Sequence, residues 1–186
     1  HVICVRNAYG PLKQFLTVYC AQHLNLETTF VEGSRIEEFE QNIRPNTQLI
    51  ILESPSSIVF SLQDIRAVTA LAKANGIRTY IDNTFCSPLF QKPLDMGVDL
   101  VMHTMSKYLG GHSDIIGGVL VAKDGAFLNE IASQIREWFG GIFGPMEAWL
   151  VLRGMRTLEV RLLEHEKNAM QVATFLEQQK GVHRVL

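Results

Sequence analysis

The chain is short of the residues that would make it a metal protein, a disulfide scaffold or a membrane span. It has three cysteines, Cys4, Cys20 and Cys86, with no C-x-x-C pair and no zinc-ligand spacing. Its six histidines form no ligand pattern, and His165-Glu166-Lys167-Asn168-Ala169 is not the H-E-x-x-H of a zinc hydrolase. No metal is expected, and free, mostly buried thiols point to a reducing, cytoplasmic setting. Uncharged apolar runs fall well short of the roughly 18 residues that read as a membrane span, and no leader segment is recognisable. A formal net charge of -2 with scattered basic residues leaves no patch for nucleic acid or an anionic membrane surface. A glycine-rich phosphate loop is also missing. The turn after the first strand reads Asn7-Ala8-Tyr9-Gly10-Pro11 and no G-x-x-x-x-G-K-[ST] occurs, which argues against a nucleotide-binding α/β protein such as a dehydrogenase.

What is present is an ordinary globular composition, 47% hydrophobic and 19% charged over 186 residues, enough for one full core. Short apolar runs alternate with helical stripes. Strands are expected at His1–Val5, Glu27–Val31, Leu49–Glu53, Arg78–Asn83, Asp99–Thr104 and Gly117–Val121. Helices are expected over Gly10–Asn25, over Arg35–Ile43 with Ser34 as a cap, and along a stripe of Leu62, Ile65, Val68, Leu71 and Ala72 that stops at Gly76. From about residue 124 onward the chain reads as helical, with a long stripe from Thr157 to Gln179 through Leu158, Leu162, Ala169, Val172, Ala173 and Leu176. This alternation predicts an α/β fold, a mostly parallel sheet with helices on both faces. A boundary near Gly154 divides a domain over 1–154 from a long helix over 155–186. The start on a strand, and a possible further strand beginning at Val185-Leu186, suggest a piece of something longer.

Two polar residues stand at the ends of buried strands. Lys107 follows Asp99–Thr104 within Ser106-Lys107-Tyr108-Leu109-Gly110-Gly111-His112-Ser113-Asp114. A lysine there calls for an explanation, because lysine is rarely buried alone and desolvation frees the neutral amine that an imine requires. The bland alternative is an exposed lysine before a Gly-Gly turn. Asp82 ends Arg78–Asn83, and in open α/β sheets ligands bind outside the carboxyl ends of strands. An acid and an amine at such a crevice suit pyridoxal phosphate, whose aldehyde takes the lysine and whose ring nitrogen takes the acid. The bland reading of Asp82 is an Asx turn in Asp82-Asn83-Thr84.

A series of motifs then carries a resemblance. Tyr9-Gly10, Glu53-Ser54-Pro55, Asp82-Asn83-Thr84-Phe85, Pro88, Pro93-Leu94, His103-Thr104-Met105-Ser106-Lys107-Tyr108, Gly110-Gly111-His112-Ser113-Asp114, Arg153-Gly154-Met155-Arg156-Thr157-Leu158 and Asn168-Ala169 occur in order across most of the chain. Together they resemble the Cys/Met metabolism pyridoxal-phosphate enzymes, which include cystathionine gamma-synthase, cystathionine beta- and gamma-lyases and methionine gamma-lyase. The resemblance implies the large domain of a fold type I pyridoxal-phosphate enzyme, incomplete at its N-terminus. It implies Lys107 as the Schiff-base lysine, Asp82 as the partner of the pyridine nitrogen, Thr104 and Ser106 as phosphate-binding hydroxyls, and Tyr9 as the ring that stacks on the cofactor and helps in proton transfer.

The implied activity is β- or γ-elimination or γ-replacement on a small sulfur-containing or homoserine-type amino acid, in a homodimer or homotetramer. A catalytically silent protein that keeps the fold is the alternative. One departure stands out: the family commonly has Asn-Pro where this chain has Ser57-Ile58, and that asparagine contacts cofactor and substrate. Ser57 is a shorter candidate for the same contact. The family's upstream phosphate loop and downstream substrate-binding arginine are not found, so the chain alone is expected to hold cofactor and not to turn over. Trp138-Phe139-Gly140-Gly141 is expected as core and turn, Arg153 as an ion-pair residue, and His103 and His112 as structural.

Overall fold

The computed structural model describes residues 1–185. By internal packing the chain divides into two units, one of residues 1–103 with 118–142, the other of residues 104–117 with the chain from Phe143 on.

The first unit is built on a six-stranded sheet in the order β2-β1-β3-β4-β5-β6. Its strands are β1 (Val2–Val5), β2 (Thr28–Val31), β3 (Leu49–Glu53), β4 (Arg78–Asp82), β5 (Leu100–Thr104) and β6 (Gly118–Val121). The pairings β1–β2, β1–β3, β3–β4 and β4–β5 are parallel. Parallel strands buried on both faces read as continuous apolar runs. Accordingly Ile3, Val5, Ile50, Leu52 and Ile81 are all fully buried and pack with Phe39 and Val68. The sheet grows in one direction from β1 to β2 and in the other from β1 to β3. That reversal is a topological switch point, where the carboxyl ends of β1 and β3 leave a crevice.

The helices of this unit differ in detail from expectation. The Gly10–Asn25 run is helical but not uniform: α1 (Gly10–Gln14) continues through a π-type stretch, Phe15–Cys20, into α2 (Ala21–Leu24). It ends at Asn25, whose left-handed backbone (φ 51°) stops the helix. The next helix, α3 (Ile36–Glu40), is shorter than Arg35–Ile43, and Ser34 does not cap it. Glu38 reaches back instead, taking the Gly33 amide (2.8 Å) and the Ser34 hydroxyl (3.1 Å). The stripe predicted from Leu62 starts later, in α4 (Ile65–Ala74), because Asp64 caps it by accepting the Ala67 amide at 3.0 Å. Leu62 is left outside and exposed. Shorter pieces follow, α5 (Ser87–Phe90) and a 3₁₀ turn at Pro93–Met96. Beyond β6, α6 (Gly125–Gln134) runs into a π-type turn, Ile135–Phe139, and Gly140 at φ 65° closes it. The expected turn is therefore present, but Trp138 and Phe139 are not core: both side chains are exposed.

The second unit contains the π-type turn Met105–Leu109, α7 (Pro145–Met155) and α8 (Leu158–Glu177). Its buried apolar residues are Met105, Leu109, Ile115, Val151, Leu158 and Leu162. Only the first part of the long stripe is buried; Ala169, Val172 and Leu176 are exposed. Arg153 makes no ion pair among the described residues and lies over the Trp149 ring at 5.7 Å. Val185 carries no regular structure, and Leu186 lies outside the described residues.

Candidate functional site

In the first unit, the polar residues at the carboxyl ends of β1, β3 and β4 converge on Glu53. This side chain, 3% exposed, ends the apolar run Leu49–Glu53 and would cost several kcal/mol to bury without partners. It has two. Its Oε2 accepts the Tyr9 main-chain N–H at 2.8 Å and its Oε1 accepts the Ser57 hydroxyl at 2.5 Å. Glu53 thereby ties the loop after β1 to the loop after β3 across the switch point, and Tyr9 and Ser57 are held by one carboxylate. Burial pushes Glu53 above the ordinary glutamate range, the two hydrogen bonds oppose this, and the nearby Asp82 charge adds to the rise. Sequence reading treated Glu53 as a landmark without a role. The signal was there, an acid closing a fully buried strand run.

The loop that presents Ser57 is knitted by its own hydroxyls. Ser56 Oγ contacts Ser61 Oγ at 2.6 Å, the Ser56 amide donates to the Ser61 carbonyl at 2.9 Å, and the Gln63 amide donates to Ser54 Oγ at 3.1 Å. Ile58 and Phe60 take positive φ, 68° and 53°, which for a β-branched residue is a genuine outlier and marks local strain. The Ser57 hydroxyl hydrogen is spent on Glu53.

Asp82 sits opposite Glu53 in the β3–β4 register and is only half-buried. The Asx turn expected on bland grounds is present: the Thr84 amide donates to Asp82 Oδ1 at 3.0 Å, and the Thr84 hydroxyl bonds the same oxygen. Both bonds fall on Oδ1, so the turn aims the carboxylate without using Oδ2. The turn and the ligand role are compatible. His103, on β5, is buried; desolvation lowers its imidazole pKa while Asp82 and the Asn83 main chain oppose the shift. Its Nδ1 has no hydrogen-bond partner among the described residues. Tyr9 itself is exposed, with a relative accessibility of 57%, leaving its ring face open for stacking.

The second unit holds the lysine. Thr104 Oγ1 donates to the Gly117 carbonyl at 3.2 Å, the Met105 amide donates to the same carbonyl at 2.8 Å, and the Gly117 amide donates to Ser106 Oγ at 3.1 Å. Past Lys107 the Gly111 amide donates to the Lys107 carbonyl at 2.7 Å. The backbone at Lys107 departs from helical geometry (φ -107°, ψ -120°) while being tied on both sides. Its side chain is exposed, so the desolvation expected around the amine is not supplied by the described residues. His112, also exposed, places Nδ1 2.9 Å from the Gly110 carbonyl, as a structural histidine would.

Each unit, taken by itself, offers groups of the kind that pyridoxal phosphate needs. Ser106 accepts through Oγ and keeps its hydroxyl hydrogen for an anion. Asp82 Oδ2 can accept a protonated ring nitrogen, the Tyr9 face can stack, and Lys107 offers an amine on a fixed backbone. The structure groups Tyr9, Ser57 and Asp82 around Glu53, and Thr104, Ser106 and Lys107 around Gly117. No group of histidine, cysteine and acidic side chains able to hold a metal ion occurs among the described residues, and no described helix is long and apolar enough to cross a membrane.

A parallel sheet with a topological switch point, an acid at one strand end and, in the second unit, a hydroxyl-flanked lysine are features that the α/β class of pyridoxal-phosphate enzymes requires. Comparison with known proteins makes the assignment specific. The model of the family "Cys/Met metabolism PLP-dependent enzyme" matches residues 1–186, and the chain belongs to that family. It is 39% identical over 185 residues to cystathionine beta-lyase MetC of Bacillus subtilis (strain 168), covering 100% of this chain and 47% of that protein. It is 38% identical over 186 residues to a probable cystathionine gamma-synthase of Herpetosiphon aurantiacus, covering 100% of this chain and 58% of the relative. Among solved structures, cystathionine gamma-lyase from Lactobacillus plantarum, complexed with L-serine, superposes with a TM-score of 0.94 at 39% identity, over 99% of this chain and 48% of the other. The chain spans about half the length of the relatives it matches.

Proposed function

We propose that this chain is the cofactor-carrying part of a pyridoxal-phosphate enzyme of sulfur amino acid metabolism. The reaction is β- or γ-elimination, or γ-replacement, on a cystathionine-, methionine- or homoserine-type amino acid. The observation that carries the proposal is the lysine turn: an exposed amine on a backbone fixed from both sides, flanked by the Ser106 and Thr104 hydroxyls, in a chain of this family. When bound, pyridoxal phosphate supplies an electron sink conjugated to the substrate's α-carbon.

The chain's own residues would divide the remaining work. Lys107 Nζ would hold the cofactor through its aldehyde group and, as a free amine, would take the substrate α-proton as general base. Asp82 Oδ2 would accept the N–H of the protonated ring nitrogen and so favour its protonated form. Ser106 would orient the phosphate through its hydroxyl hydrogen, while Thr104, whose hydroxyl hydrogen goes to the Gly117 carbonyl, would hold the turn in place beside it. Tyr9 would stack on the ring, worth about 0.5–1.5 kcal/mol beyond area burial, and would help in proton transfer. Ser57, with its hydroxyl hydrogen donated to Glu53, would offer the cofactor only oxygen lone pairs and would not donate to a ring oxygen. Residues 1–154 would form the cofactor-binding large domain, with the region from 155 on, which includes α8, outside it. The working protein is a cytoplasmic homodimer or homotetramer with a small amino-acid substrate.

The deciding experiment is borohydride reduction of the full-length protein loaded with pyridoxal phosphate, followed by peptide mapping. A reduced cofactor on Lys107 supports the reading, and an adduct confined to any other lysine overturns it. Turnover tests with cystathionine, methionine, cysteine and O-acylated homoserine then assign the reaction. Cofactor capture without turnover of any of them would establish the catalytically silent alternative.

A further inference from the structure

The turn that carries Lys107 is anchored by a cation with no catalytic part in the scheme above. Arg161 lies one turn into α8 and is half-buried. Its guanidinium donates three hydrogen bonds: Nη1 to the Tyr108 carbonyl at 2.9 Å, Nη2 to the Gly154 carbonyl at 2.9 Å, and Nε to Thr157 Oγ1 at 3.1 Å. All three acceptors are uncharged. A planar fork of donors is spent on two main-chain oxygens and one hydroxyl, a use that fixes geometry, since each bond is charge-assisted and their directions are locked together. The Tyr108 carbonyl belongs to the residue directly after Lys107. The Gly154 carbonyl faces out from the C-terminal turn of α7, where a cation is favoured by the helix dipole.

The glycines around it exist to permit this contact. Gly111 has φ +82°, and a Cβ there would lie 2.4 Å from the Arg161 guanidinium carbon. A Cβ on Gly154 would lie 2.1 Å from the Gly110 carbonyl oxygen. The Gly110-Gly111 turn and Gly154 are thus shaped so that the lysine turn presses onto the α7–α8 junction, and Arg161 closes the contact. Tyr108 adds a ring contact to His165 on the next turn of α8, at 5.8 Å between centroids. The opposite flank of Lys107 is tied through Met105 and Ser106 to Gly117.

We propose that Arg161 is a positioning residue for Lys107: by gripping the Tyr108 carbonyl it sets the direction in which the lysine amine leaves the turn. This rests on the reading of Lys107 as the cofactor lysine. Pre-organisation of this kind acts on the reacting amine while leaving substrate contacts alone. Its loss is therefore read in kcat and in the asymmetry of the attached cofactor, not in KM.

The test compares the full-length wild type with Arg161→Gln and Arg161→Lys, each loaded with pyridoxal phosphate. Expected for Arg161→Gln are full cofactor stoichiometry and trapping at Lys107, visible circular dichroism of the bound cofactor reduced about twofold or more, and kcat lowered at least about tenfold with KM little changed. Arg161→Lys keeps the charge without the fork and should recover only part of the loss. Should Arg161→Gln fail to fold, the same readings on Arg161→Lys and on Gly111→Ala, which pushes a methyl group against the guanidinium, carry the decision. Unchanged dichroism and kcat in a folded variant overturn this inference alone. Trapping of the wild type only at a lysine other than Lys107 overturns the functional reading instead, and this inference with it.

Discussion

Glu53 and Asp82 are register partners on the parallel strands β3 and β4, so two carboxylates leave the sheet side by side. Their surroundings then separate them. Glu53 is buried and holds Tyr9 and Ser57 through its two oxygens, whereas Asp82 is half-buried with its Oδ1 committed to Thr84. One is a structural acid that braces the crevice, the other an acid able to meet a ligand.

The raised pKa of Glu53 has a signed consequence for stability. A carboxyl that titrates higher in the folded than in the unfolded chain binds more protons when folded. Stability therefore falls as pH rises from the ordinary glutamate range through the raised folded value, and returns on acidification. Glu53→Gln should flatten this slope, because an amide does not titrate. It should also cost about 1–3 kcal/mol from the partner left without an acceptor. Thermal melts of both proteins from about pH 4 to 7 check it; equal slopes would refute the assignment.

Ser57→Ala should raise Glu53 further, since it removes a hydrogen bond that holds the carboxylate charged. The expected result is a stronger pH dependence of stability than wild type at a cost of about 1 kcal/mol. Ser57→Asn should cost more than Ser57→Ala, because the larger amide must fit a loop already fixed by positive φ at Ile58 and Phe60. Denaturant midpoints of the two variants decide the order.

Glycine substitutions should split by surroundings. Gly154→Ala places a methyl group against the Gly110 carbonyl, and with backbone on both sides the loss should reach about 3 kcal/mol, the upper part of the overpacking range. Gly125→Ala, at the start of α6 with open space around its Cβ, should instead stabilise by about 0.4–1 kcal/mol. A tolerated Gly154→Ala in melting experiments would contradict the close approach of these backbones.

Thiol labelling should follow burial. The Cys4 thiol is pushed up to about 12 by burial, with the Glu53 charge adding, and it should resist iodoacetamide until the chain unfolds. Cys86, also raised by burial but partly exposed, should label first. Mass mapping after limited reaction at about pH 8 gives the order, and early modification of Cys4 would be the contrary result.

Much of this protein follows from its sequence alone. The central runs β1 and β3 are legible as strands because a parallel sheet covered on both faces demands continuous hydrophobicity. Asp82 and Lys107 stood out because a charged group at the end of such a run needs a reason. Helix limits were less legible, since they depend on which side chain reaches which amide: Glu38 in place of Ser34, and Asp64 in place of a start at Leu62. Three matters were decided only by tertiary structure. Strand order made Glu53 and Asp82 neighbours although they are 29 positions apart in numbering. The strained loop at Ile58 turned the Ser57 hydroxyl onto Glu53. The fold of the second unit brought Arg161 to a carbonyl 53 residues earlier in the chain. Periodicity records which face of an element is apolar; it carries no record of which distant main-chain oxygen a buried donor will find.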